Sequence, residues 1–170
     1  MLTLLVFLCS CARYPESYPP PEQRHPVAGG NPNPISMMVT MSDADAAVHF
    51  VKDIDLEPPP GTVWRWAGPQ ATLKILALST RNVKFSADFT LWPTAFEQTG
   101  PVELTFVVNT RQLDKVRYTT PGDKHFLKPI PEEWLTTEIE STISIAIDKM
   151  YVGEDGKKFG FILSSAGFVQ

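Results

Sequence analysis

Nine residues, VKFSADFTL at 83–91, alternate without a break: Val83, Phe85, Ala87, Phe89 and Leu91 on one side, Lys84, Ser86, Asp88 and Thr90 on the other. In an extended strand successive side chains point to opposite faces, so this stretch is a strand with one face in a core and one in water. The same period recurs along the chain. In TLKILAL (72–78), Leu73, Ile75 and Ala77 oppose Lys74, Leu76 and Leu78. In VELTFVVN, Leu104, Phe106 and Val108 share a face, and Asn109-Thr110 then permits a reversal into QLDKVRY. In TISIAID (142–148), Ile143, Ile145 and Ile147 point inward. Glu154-Asp155-Gly156 is a hairpin turn signal before a last strand, FGFILSSAGF. VHFVKDI (48–54) reads as a strand, although DADAAVHFV could also begin a helix capped by Ser42 or Asp43. Only PEEWL (131–135) reads as a helical turn, with proline early and acids next. Short strands at regular spacing with almost no helix predict an all-β fold, an antiparallel β-sandwich over residues 35–170.

The prolines mark a boundary. Seven of the 16 fall between Pro15 and Pro34. Proline lacks an amide hydrogen and fixes φ, so residues 12–34 read as an extended, disordered linker. Ahead of it, MLTLLVFLCSC (1–11) is uncharged and apolar. As a helix it would reach roughly half of a ~30 Å hydrocarbon core, too short to span a membrane but suited to a secretory signal. Leu8-Cys9-Ser10-Cys11 resembles the lipobox of bacterial lipoproteins. That resemblance implies lipidation at Cys11, a linker tethering the domain to a membrane, and an extracytoplasmic location.

Composition excludes several chemistries. The net charge is −4 and no basic run is present, so no nucleic-acid partner is expected. Beyond residue 11 there is no cysteine, hence no disulfide, thiol nucleophile or cysteine metal site in the body. His25, His49 and His125 are dispersed. No Gly-rich phosphate loop, G-x-S-x-G or H-E-x-x-H occurs. Glu132, Glu133, Glu138, Glu140, Asp148, Glu154 and Asp155 fall where caps, turns and solvated faces place acids. A glycosidase would need two carboxylates across a cleft at about 5–10 Å. The expectation is a protein that is not an enzyme and uses no metal or cofactor.

GTVWRWAG (61–68) is the remaining feature. On a strand Trp64 and Trp66 share a face and Arg65 points away. The pair could be a flat platform for a ligand, or core, since large aromatics dominate sandwich interiors. Arg65 could bond a ligand hydroxyl or carboxylate, or pair with Asp53, Asp55 or Glu57. Trp92, before Pro93, ends a strand at a loop tip, and Trp134 plugs one end of the sandwich. Trp64, Arg65, Trp66 and Trp92 are therefore the candidate ligand residues.

TGPVELTFVVNT, LDKVRYTTPGDKHFLKPIPEEWL, ISIAID and DGKKFGFIL, in that order over residues 99–163, resemble the galactose-binding-like jelly roll. That fold occurs as accessory domains of glycoside hydrolases and in bacterial envelope lipoproteins. In those domains the asparagine sits in a V-N-G turn; here Thr110 replaces the glycine. The resemblance implies a jelly-roll sandwich that binds carbohydrate or another envelope ligand. A structural or protein-interaction subunit of the envelope is the alternative, and a polysaccharide hydrolase a third.

Overall fold

The structure is a computed structural model in which residues 37–170 are described. The readings for the apolar segment 1–11, for Cys11 and for the linker 12–34 lie outside those residues. The strands are β1 (Met38–Thr40), β2 (Phe50–Ile54), β3 (Arg65–Ile75), β4 (Lys84–Leu91), β5 (Val102–Val108), β6 (Arg111–Tyr118), β7 (Gly122–Pro129), β8 (Ser141–Ile147), β9 (Tyr151–Val152), β10 (Lys158–Phe159) and β11 (Phe161–Val169). One short helix, α1 (Pro93–Thr99), follows β4, and single 3-10 turns cover Ala46–His49 and Glu132–Trp134.

All pairings are antiparallel. The main sheet runs β6-β5-β8-β3-β11-β4-β7, with β2 added to β3 and β1 to β11. It folds over on itself at β3. Residues Arg65–Ala67 pair with β11, whereas Gln70–Ile75 pair with β8. Gly68-Pro69 lies between the two registers. One layer is then β6-β5-β8-β3-β2 and the other β11-β4-β7 with β1. The chain passes between layers from β1 to β2, β3 to β4, β4 to β5, β6 to β7, β7 to β8 and β8 to β11, the winding of a jelly roll. The predicted β-sandwich is the observed fold.

The layers meet through phenylalanines. Phe106 of β5 stacks on Phe126 of β7 with centroids 3.5 Å apart, and meets Phe85 and Phe89 of β4 at 5.9 and 6.2 Å. Every inward residue read from the β4 and β8 patterns is buried. Ser144, on the outward side of β8, is buried too, because its hydroxyl bonds Thr72 Oγ1 at 2.9 Å between two central strands.

Several expectations change. The segment 48–54 divides, a 3-10 turn giving way to strand at Phe50, and neither Ser42 nor Asp43 is its cap, since Asp45 precedes it. β3 begins at Arg65 and ends at Ile75, earlier than the 72–78 alternation indicates. Trp92 is not a loop tip: it is the residue before α1, whose first position is Pro93. His125 lies in β7. The Asn109-Thr110 turn has positive φ at both residues, 47° and 68°, the signature of a type I′ hairpin. Thr110 holds a conformation its branched side chain disfavours. Asn109 fixes the turn by donating from Nδ2 to Trp134 O and Ser141 Oγ and accepting Thr142 N–H at Oδ1. Trp134 packs against the core at that end of the sandwich, as predicted.

β1 crosses β11 closely at Gly167. A Cβ there would lie 2.1 Å from Met37 O and 2.6 Å from Met38 Cα, so backbone must move. Gly167→Ala is expected to push β1 off β11 at a cost of about 1–3 kcal/mol. Faster hydrogen exchange of the Phe168 amide, which donates to Met37 O, would show it; unchanged exchange would contradict it.

Candidate functional site

Trp64 and Trp66 fall on one side of the β3 start, and three other elements bring aromatics to them. Trp66 meets Trp64 edge-to-face at 5.4 Å, Trp92 at 5.6 Å and Phe159 at 4.7 Å. Trp92 meets Tyr151 at 5.5 Å, and Tyr151 lies 6.2 Å from Phe159. Trp66, Trp92, Tyr151 and Phe159 thus close a ring of contacts with Trp64 at its margin. All five are half-buried: neither sealed in the core nor free in solvent. Edge-to-face pairs contribute about 0.5–1.5 kcal/mol each beyond area burial, so the wall holds its own shape. Three of the four predicted ligand residues are brought together here. Tyr151 and Phe159 were not singled out from sequence. The signal for them was the Glu154-Asp155-Gly156 turn, since they face each other across its hairpin.

Arg65 is the correction. It points away from the tryptophans, as the alternation requires, and is only 4% exposed. Its Nε donates to Met41 O at 2.9 Å, and its Nη1 donates to Asp55 O at 3.3 Å and to Leu56 O. The guanidinium carbon sits 5.2 Å from the Phe50 ring centre. The expected partners were carboxylates of Asp53, Asp55 or Glu57; the observed ones are backbone carbonyls. The guanidinium fork suits several acceptors at once, and the end of β1 and the chain between β2 and β3 supply them. Arg65 therefore holds the strand that carries the wall and is not on the wall's surface.

Beside Trp66 and Phe159 opens a cleft of about 330 Å³, lined also by Asp53, Asp55, Gly68, Pro69, Lys157 and Lys158. Asp53 is held in the left-handed region, φ 57°. The β2–β3 register explains this. Lys52 faces Thr72 and Ile54 faces Ala67, so β3 carries extra residues opposite Asp53. Asp53 Oδ2 accepts the Gln70 N–H at 3.1 Å across that irregularity. Gly68 leaves room for it: a Cβ there would lie 3.2 Å from Asp53 Cβ.

A second cleft of about 270 Å³ lies on the outer face of β4 and β7, lined by Asp88, Phe89, Thr90, Asp123, Lys124, His125 and Ser164. Asp88 bonds His125 Nδ1 at 2.7 Å and accepts Ser165 Oγ–H at 2.9 Å; Thr90 donates to Asp123 at 2.6 Å. Ser165 bonds the aspartate and not the imidazole. Partial burial works against ionisation of Asp88, but the hydrogen bonds from His125 and Ser165 and the His125 charge outweigh it, and its carboxyl titrates below the ordinary range. A depressed folded value means the stabilisation is present above the unfolded value, about pH 4, and is lost as pH falls through the folded one. Asp88→Asn is expected to flatten the acid limb of stability against pH below about pH 4. Parallel acid limbs for both proteins in urea unfolding would refute this. Among the described residues no three His, Cys, Asp or Glu side chains group to hold a metal ion.

A scan against protein-family models finds no match, and a search of curated proteins finds none either. Solved structures do resemble the chain. A family 35 carbohydrate-binding module from an environmental isolate is 13% identical, with a TM-score of 0.45, covering 78% of this chain and 92% of that one. The CBM36-1 domain of a multidomain xylanase from the hindgut metagenome of Trinervitermes trinervoides is 9% identical, with a TM-score of 0.43, covering 78% and 95%. CBM35 from Paenibacillus barcinonensis is 12% identical, with a TM-score of 0.41, covering 79% and 99%. Likeness at this level carries no argument about what this chain binds; the site has to be read from its own residues.

Proposed function

We propose that this β-sandwich is a non-catalytic module that binds carbohydrate on the wall formed by Trp64, Trp66, Trp92, Tyr151 and Phe159. The observation that carries the reading is the convergence of three half-buried tryptophans, from the start of β3 and the β4–α1 junction, with Trp66 lining an open cleft. The CH-rich face of a pyranose packs on an indole ring, and the polar rim supplies partners for its hydroxyls. In the same reading Cys11 carries a lipid, and the proline-rich segment holds the module outside the cytoplasm at an envelope membrane. Cys11→Ser would then move the protein from the membrane to the soluble fraction.

The test is a titration of the full chain with soluble oligosaccharides, read by intrinsic fluorescence. Three of the four indoles lie at the site, so binding reports directly. A saturable change is expected, weakened at least about tenfold (1.4 kcal/mol) by Trp92→Ala and left alone by Trp134→Phe. No response to any glycan would overturn the reading. An envelope subunit that contacts protein is the second reading. Exposed Val48, Val51, Leu56 and Val63 in and around the edge strand β2 favour it.

A further inference from the structure

The cleft beside Trp66 carries two charges of each sign. Asp53 and Asp55 line it from the β2 end; Lys157 and Lys158 line it from the β9–β10 hairpin. These charges do not neutralise one another. The ion pairs among the described residues are Lys74–Glu140, Lys115–Glu103, His125–Asp88 and Lys128–Asp114. Asp53 spends one carboxylate oxygen on the Gln70 N–H. No hydrogen bond among the described residues engages the Asp55 carboxylate or the Lys157 and Lys158 ammonium groups.

Both rims are anchored to the wall between them. The irregular β2–β3 pairing and the left-handed Asp53 set the acidic rim, and Gly68 makes room for it. On the basic rim, Lys157 is held by its own backbone: its N–H donates to Asp155 Oδ1 at 3.0 Å and its carbonyl accepts Gly153 N–H at 2.8 Å. Phe159 then fastens the hairpin to Trp66. A left-handed non-glycine residue at the mouth of a cleft is the kind of backbone outlier that points toward function.

Resting on the carbohydrate reading, we propose that the cleft selects a zwitterionic saccharide unit, one bearing a free ammonium and an anionic group. A purely anionic sugar gains at the lysines and is repelled by the aspartates; a purely cationic sugar meets the reverse. A unit with both charges gains at both rims, in one orientation, while its ring packs on the wall. Opposed charges thereby discriminate by penalising singly charged ligands as well as by attracting the right one.

The experiment uses the full chain and four tetrasaccharides of matched length. The first alternates glucosamine and glucuronate and is zwitterionic. Its N-acetylated parent is anionic, a glucosamine oligomer is cationic, and a glucose oligomer is neutral. The zwitterion is expected to bind at least about tenfold more tightly than either singly charged oligomer, with the advantage shrinking at about 1 M salt, where the screening length is near 3 Å. The double variant Lys157→Ala, Lys158→Ala and the single variant Asp55→Asn should each erase that advantage. Both alter exposed side chains, and unchanged urea unfolding confirms that the fold is intact. If the N-acetylated parent or the glucosamine oligomer binds as tightly as the zwitterion, the charge selection is wrong and carbohydrate binding stands. If none of the four binds, the zwitterion selection is wrong, and the wider oligosaccharide titration decides whether the carbohydrate reading falls with it.

Discussion

Phe106→Ala is expected to lower the unfolding free energy by about 3–5 kcal/mol, among the largest effects of any single substitution in this domain. The residue is fully buried and lies where the two layers touch. Its ring is stacked on Phe126 with 2° between planes and meets Phe85 and Phe89 on the facing strand. Truncation removes the transfer energy of the ring and leaves a hole bounded by three large aromatics. These are fixed by their own strands, β4 and β7, which are paired over their full lengths. The site therefore collapses poorly, and the cavity cost is retained. A typical domain has only about 5–15 kcal/mol in all, so the variant should be marginal at room temperature. Phe126→Ala should cost less, because Phe126 sits on the edge strand β7 and, unlike Phe106, is not fully sealed from water. Urea unfolding measures both. A Phe106→Ala shift under about 1.5 kcal/mol, or a larger one for Phe126→Ala, would mean that the layers are not joined through this stack.

What could be read from the sequence follows from how many neighbours each strand has. β4 and β8 have one face toward the core and the other partly covered, so their alternation is sharp and every residue read as inward is buried, although the inward Ser141 at the start of β8 lay outside the pattern. β7 escaped. It is an edge strand whose only buried side chain is Phe126, and GDKHFLKP shows no alternation. α1 escaped for a different reason. Trp92 offers no side-chain cap, and Pro93 reads equally well as the end of a strand and as the first residue of a helix. At the site, Trp64 and Trp66 announced themselves by spacing. Their meeting with Trp92 and Phe159 depends on where α1 and the β9–β10 hairpin come to rest, which no local pattern encodes. The cleft depends on the β2–β3 irregularity and is equally non-local. Alternation gave the direction of Arg65 correctly. It could not show that three carbonyls wait on that side.

Those carbonyls set the second large expectation: Arg65→Ala should destabilise the domain by at least about 3 kcal/mol. One guanidinium satisfies Met41 O, Asp55 O and Leu56 O from a buried position. Met41 O is the buried partner, and leaving it unpaired costs about 1–3 kcal/mol; the partly buried Asp55 O and Leu56 O and the lost packing on Phe50 add to it. Arg65→Lys keeps the charge but presents a single nitrogen where the native fork reaches the β1 end with Nε and the β2–β3 connection with Nη1. It should fall between wild type and alanine. Methionine at this position would match the length and remove the charge; its cost isolates the carbonyls, since they would still lack donors. The ligand result should go the other way. Arg65 lies across β3 from the aromatic wall, so Arg65→Lys, assayed where it remains folded, should bind glycan within about twofold of wild type, a difference of some 0.4 kcal/mol. Trp66→Ala should lose binding outright. If Arg65→Lys instead keeps full stability and loses the ligand, the guanidinium touches the sugar, and the carbonyl contacts are incidental to its role.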